Sequence, residues 1–294
     1  MVRANYNRLN RKKEAQCLAG NIGDDRIFEF KDMGDASPLF SIRWNQLTIT
    51  MKPLILYDIP SQLPGSYWSP NTSKPRFVLS YKELPFETVW VEYPDIASVL
   101  KGLGLAPKKR PDGTDIYTVP VLSDPNTGAL IDESLEIAAY LEKTYPAKPI
   151  FPHGSQMLIR VFNSAYLNDA HPIIKLIYVR TAEILNPASV EYFRRTRSER
   201  FQLPWEDFSP EGPKRDGDWA YLEQSFSKGE ALREKSGTEW VMGDTFSYAD
   251  IIVASRLFWY KRVLKEDEWA RISSWNGGRW AKVLDKVQQE CHLA

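Results

Sequence analysis

Two short segments carry groups that could hold a peptide. Thr118-Val119-Pro120-Val121-Leu122 is followed shortly by Asp132-Glu133-Ser134, which opens an apolar-periodic run. A Val-Pro bond can be cis, an isomer essentially confined to proline. A cis bond at Val119-Pro120 would turn the Val119 N–H and C=O outward, ready to pair with an extended peptide as an added strand does. Glu133 and Ser134 fall at a predicted helix N-terminus, where free N–H groups and the helix dipole attract a carboxylate. Glu133 also offers an acceptor to an ammonium group. Each segment has a plain structural reading too, since Glu-Ser before an apolar run is often only a helix cap. Together they describe a groove for a short peptide with an α-amino, α-carboxylate end.

A third feature lies upstream. Pro53-Leu54-Ile55-Leu56-Tyr57 reads as a buried strand, and Phe77, Val78 and Tyr81 fit one face of a helix. Pro75 is tolerated in a first helical turn, which predicts a start near Thr72 or Ser73. Ser69 then lies just ahead of the helix, where its hydroxyl can hydrogen-bond a neighbouring sulfur. Free thiols have pKa values near about 8.5, and helix N-termini lower them by about one to several units. Serine cannot form a mixed disulfide, so the geometry suits activating a thiol rather than exchanging it. The same residues also fit a simple loop-to-helix turn capped by Ser73. A thiol-bearing peptide with an amino-acid end is glutathione, the expected co-substrate.

The predicted order is strand, helix, strand (Phe86 to Val91), a short segment (Asp95 to Lys101), the Val119 strand, an Ala129–Ile131 strand and the Ser134 helix. It resembles the thioredoxin-like domain of glutathione S-transferases. The resemblance implies that Val119, the residue before the cis-proline Pro120, pairs with the cysteinyl backbone and that Glu133 and Ser134 hold the γ-glutamyl end. It puts the catalytic hydroxyl on Ser69, with Ser73 as the alternative and Asn71 sharing the role as a side-chain amide donor to the sulfur. A closer resemblance is to the fungal etherase-related FuA class. It rests on Tyr57-Asp58-Ile59-Pro60, Ser69-Pro70-Asn71-Thr72, Thr88-Val89-Trp90-Val91-Glu92-Tyr93-Pro94-Asp95, Met242-Gly243-Asp244-Thr245 and Trp275-Asn276-Gly277-Gly278-Arg279-Trp280. Lys108-Lys109-Arg110 is the kind of run usually found in a solvated loop. It precedes the Val119 strand, which brings Lys109 within reach of a glycyl carboxylate.

The expected fold is α/β plus all-α: a thioredoxin-like domain over residues 51–146, a proline-rich linker over 147–154, and an all-helical domain over 155–294. Ser155 to Leu185 reads as a long helix that Pro172 should bend or split. Ala188 to Arg200 and Gly217 to Gly237 read as further helices. Ser247-Tyr248-Ala249-Asp250 has the spacing of a capping box. The run after it is apolar nearly all round except Arg256, which marks a buried helix. The family resemblance implies an acceptor cleft facing Ser69, with Tyr166, Asn168, His171, Ile174 and Tyr178 as candidate lining. Aromatic walls suit planar, phenolic or hydrophobic electrophiles. A phenolic-ligand carrier, a β-etherase and a regulatory scaffold are the alternatives to a transferase. The resemblance also implies a homodimer.

Composition narrows the remaining classes. Lys+Arg and Asp+Glu both number 38, so no basic excess suggests a nucleic-acid partner. Cys17 and Cys291 are far apart, which fits a reducing, cytoplasmic setting. No apolar run approaches transmembrane length, and His153, His171 and His292 form no metal-ligand spacing. Residues 1–50 read as an extension, disordered or of non-native origin. Met1 to Lys13, with five basic and no acidic residues, faintly resembles a transit peptide.

Overall fold

The computed structural model describes residues 17–22, 25–30, 51–110, 112–168 and 173–293. Two compact units divide the chain, Met1–Thr50 and Met51–Ala294. In the first, β1 (Cys17–Ile22) pairs antiparallel with β2 (Asp25–Phe30), with Cys17 opposite Phe30. The basic run from Met1 to Lys13 lies outside the described residues.

The second unit opens with β3 (Leu54–Asp58), whose Leu54 and Leu56 are fully buried. It is followed by α1 (Pro70–Tyr81), β4 (Phe86–Trp90), α2 (Ile96–Gly102), the short pair β5 (Lys108–Lys109) and β6 (Asp115–Ile116), β7 (Val121–Asp124), β8 (Ala129–Asp132) and α3 (Ser134–Thr144). The four long strands form one sheet in the order β4-β3-β7-β8. β4 runs parallel to β3, as a helical crossover requires, while β7 and β8 are antiparallel to their neighbours. This is a thioredoxin-like half.

Its register explains where a site can form. Tyr57, next to the last residue of β3, faces Val121, the first residue of β7, and Val121 faces Asp132, the last of β8. The end of β3, the start of β7 and the end of β8 therefore share one edge of the sheet. Asp58 leads into the loop toward Ser69, Val119-Pro120 enters β7, and Glu133-Ser134 leaves β8. Segments more than sixty positions apart in sequence are thus brought together by strand pairing alone.

Two details differ from the sequence reading. Helix α1 begins at Pro70 rather than at Thr72 or Ser73, because Ser69 itself is the N-cap: its Oγ accepts the Asn71 N–H at 3.3 Å. Pro75 consequently sits inside the helix and leaves the Asn71 carbonyl without its usual donor four residues on. Packing of the fully buried Phe77, Val78 and Leu79 holds the helix nonetheless. The strand expected at Val119 begins only at Val121, so Val119 stands outside the ladder.

The remaining half is helical: α4 (Gln156–Asn168), α5 (Ile174–Ile184), α6 (Pro187–Phe201), α7 (Pro213–Ser236), α8 (Tyr248–Val263) and α9 (Glu266–Glu290), the last broken by left-handed backbone at Asn276, Gly277 and Gly278. The long helix predicted around Pro172 is thus two helices. Almost every residue of α8 is buried. Asp250 accepts the Ser247 N–H at 2.9 Å, the Ser247 hydroxyl at 2.8 Å and the Val241 N–H at 2.8 Å, which anchors the start of α8.

The halves are tied by specific bonds. Lys82 donates to the carboxylate of Glu142 at 2.9 Å and to the carbonyls of Tyr145, Ala147 and Lys148 at 3.0 Å, so the proline-rich joint is pinned. Glu92, after β4, accepts from Asn186 Nδ2 at 2.7 Å and from Ser189 Oγ at the head of α6. Arg262 of α8 donates to the carbonyls of Tyr67 and Pro64, and the Tyr67 ring stacks on Phe258 at 5.2 Å. No helix among the described residues is long and apolar enough to cross a membrane.

Candidate active site

Ser69 is 5% exposed and caps α1. Its oxygen accepts from Asn71, and among the described residues no group accepts its proton. The hydroxyl is therefore free to donate at a helix N-terminus, where a negative sulfur is favoured. Asn71 lies one residue into the helix beyond Pro70. Its Oδ1 takes Lys74 Nζ at 3.4 Å, which leaves the amide N–H groups for a second acceptor. Ser73 is fully buried, its hydroxyl has no hydrogen-bond partner among the described residues, and it lines neither of the cavities described next.

A cavity of about 380 Å³ runs along the sheet edge, lined by Ser69, Asn71, Val119, Pro120, Glu133 and Ser134. The Val119-Pro120 bond is cis. Glu133 has φ 69°, a left-handed conformation that is uncommon outside glycine and turns the chain sharply into α3. Ser134 is the first residue of α3, and its carbonyl accepts the Tyr248 hydroxyl of α8 at 3.0 Å. Six residues singled out from sequence, Ser69, Asn71, Val119, Pro120, Glu133 and Ser134, therefore line one cavity. Lys109 does not. It is solvent-exposed and paired with Asp115, while its neighbours divide the work: Arg110 lines the cavity and Lys108 binds Glu133 and Asp132. Burial works to lower the Lys108 pKa, but hydrogen bonds to Glu133 and Asp132 outweigh it and hold the ammonium form above its ordinary range.

A second cavity, of about 470 Å³, opens on the other side of Ser69 against the helices. Tyr166, Ile174 and Tyr178 line it, as expected, together with Trp68 and Trp259. Asn168 ends α4. His171 lies outside the described residues. Ser69, Asn71, Tyr93 and Arg197 line both cavities. Burial pushes the Tyr93 phenol up to about 12, so it stays protonated at neutral pH.

Several lining residues were not singled out from sequence. Lys74 and Arg197 carry no local motif; only tertiary packing turns them to the cavity. Arg256 did leave a signal, as the charge that interrupts an otherwise apolar helix. Among the described residues no cluster of three or more His, Cys, Asp or Glu side chains could hold a metal ion.

A thioredoxin-like half with a peptide-sized groove, joined to a helical half with an aromatic cavity, is the two-domain architecture of a glutathione-transferase-type protein. Residues 68–144 match the family model for the glutathione S-transferase N-terminal domain, and residues 158–289 match that for its C-terminal domain. The glutathione S-transferase-like protein ustS of Aspergillus flavus is 35% identical over 245 residues, covering 78% of this chain and 87% of that protein. A glutathione S-transferase of Ceriporiopsis subvermispora, solved in complex with glutathione, superposes with a TM-score of 0.77 at 39% identity, covering 81% of this chain and 98% of its own. Glutathione transferase GSTFuA3 of Phanerochaete chrysosporium gives 0.75 at 37% identity, over 82% and 98%. The chain belongs to the glutathione S-transferase family.

Proposed function

We propose that the protein is a serine-type glutathione transferase acting on hydrophobic, aromatic electrophiles, in the cytoplasm and in the detoxification of phenolic or lignin-derived compounds. One observation carries the reading: Ser69 and Asn71 line both the peptide-sized groove and the aromatic cavity. Glutathione lies extended along Val119, with its γ-glutamyl end at Glu133 and Ser134 and its glycyl carboxylate toward Arg110. The glutathione held by the Ceriporiopsis relative supports this ligand. Ser69, aided by Asn71, donates a hydrogen bond to the sulfur and raises its thiolate fraction. The thiolate then attacks an electrophilic carbon of the acceptor, and holding both reactants in adjoining cavities supplies much of the rate.

The protein acts as a homodimer in this reading. Met157, Leu158 and Val161 of α4 are 68%, 67% and 58% exposed, an apolar stripe that a second copy would cover.

Steady-state kinetics with chlorodinitrobenzene test the role of Ser69. Ser69→Ala is expected to lower kcat by about 10²-fold, the usual loss for one donor to a developing anion, with glutathione affinity nearly intact. An unchanged kcat moves the role to Asn71 or Ser73. Binding of phenolics without turnover of any electrophile would instead identify a carrier.

A further inference from the structure

Five lysine and arginine side chains of the described residues are buried: Lys74, Arg76, Lys82, Arg180 and Arg256. Three of them are neutralised. Arg76 holds Asp58 at 2.9 Å, Lys82 holds Glu142 at 2.9 Å and Arg180 holds Glu268. The other two, Lys74 and Arg256, are 4% and 8% exposed and have no carboxylate within ion-pair distance among the described residues. These are the two that line the aromatic cavity, and neither lines the peptide groove. Among the described residues Lys74 hydrogen-bonds only the Asn71 amide oxygen, and Arg256 lies over the Tyr166 ring at 4.0 Å. Glu133, whose charge bears on Lys74, is held by Lys108. Arg197 and Arg200 add two more cations to the cavity lining, whose described residues include no carboxylate.

An unneutralised buried charge costs several kcal/mol, and a like-charge pair costs more. A fold that neutralises its other buried cations leaves these two without a carboxylate among the described residues, in a cavity with aromatic walls.

We propose that the cavity is built for an aromatic acceptor that carries a carboxylate, which completes the ion pair with Arg256 and Lys74 while the ring packs against the wall formed by Tyr178 and Trp259. The proposal rests on the reading that this cavity receives the acceptor. The cations then select among electrophiles by charge, and the ring orients the reacting carbon toward Ser69.

Calorimetric titration of the full-length protein with naphthoate and with naphthamide tests this without any turnover. The two probes share a ring and differ in charge. At low ionic strength naphthoate is expected to bind at least about tenfold more tightly, as a charge-assisted contact in a desolvated site should give. The preference should shrink with added salt, fall to about twofold or less in Arg256→Gln and in Lys74→Met, and persist when glutathione is saturating. Equal affinities for the two probes in the wild-type protein overturn the proposal. Displacement of naphthoate by glutathione also overturns it, because the cations would then serve the peptide's own carboxylates. A separate glutathione titration keeps the transferase reading distinct: absence of glutathione binding with the naphthoate preference retained removes that reading and leaves an anion-selective aromatic site. The salt dependence of the wild-type protein gives an answer even if a variant fails to fold.

Discussion

Lys74 concentrates the physical tension of this site in one residue. Burial, and then the charge of Arg256, lower its pKa from 10.5 to about 8. Between those values the unfolded chain binds a proton that the folded chain does not, so the Lys74 contribution makes stability rise with pH across that window. Below about pH 8 both states are charged and the folded state bears the full penalty. Lys74→Met, which never ionises, is expected to be more stable than the wild type by about 3 kcal/mol at neutral pH. That gap should close as the pH approaches 10.5. Denaturant titrations across that range measure it, and a gap independent of pH would trace the effect to packing instead. The same substitution is expected to weaken aromatic carboxylates, so stability and function pull in opposite directions here. At this scale the sequence was informative where chemistry is local. Val119, Pro120, Glu133, Ser134 and Ser69 could be named because each sits in a short motif with its own geometry. Lys74 and Arg256 could not be assigned, because their meaning lies in what fails to neutralise them.

Elements place these residues, and their ends matter more than their middles. The start of α1 was expected two or three residues late because Pro75 was assigned to a first turn. Packing of Phe77, Val78 and Leu79 instead sustains a helix that tolerates an interior proline, and this moves the cap onto Ser69, the residue on which the sequence reading had already put the hydroxyl. The joint after α3 likewise read as an extended linker from its prolines. Its carbonyls in fact converge on the Lys82 ammonium, sixty or more positions away, a pairing that no local pattern reveals. Lys82→Met would take the cation from Glu142, which keeps the Ile150 and Phe151 N–H groups, and would remove this donor from three carbonyls. We expect it to destabilise the protein by about 3 kcal/mol and to speed proteolysis between residues 147 and 154. Thermal melts and limited digestion check both, and wild-type stability in this variant would mean that the joint is held by other contacts. The order of elements along the chain, by contrast, was legible, and the strand-helix-strand start is consistent with the parallel pairing of β3 and β4 through the α1 crossover.

At the scale of residues 51–293, both cavities draw their lining from both halves, and both reach Ser69. The division into a thioredoxin-like and a helical half was legible from the loss of strand pattern after Pro152. How the helices wall the cavity was not, because it depends on clamps such as Glu92 to Asn186 and Ser189. The apolar stripe on α4 belongs to this scale too. Leu158→Glu is expected to convert a dimer to a monomer in light scattering after gel filtration, since an unpaired charge in an interface core is strongly unfavourable; an unchanged mass would place any dimer contact elsewhere. The central claim is that Ser69 makes the bound sulfur anionic, and it is tested most directly by titrating the ultraviolet absorbance of the thiolate of glutathione bound to the protein. The wild-type complex should ionise at least about one pH unit below free glutathione, within the range that helix N-termini produce. The Ser69→Ala complex should move back toward the free value with its affinity for glutathione retained. Identical midpoints for the two complexes would contradict the account.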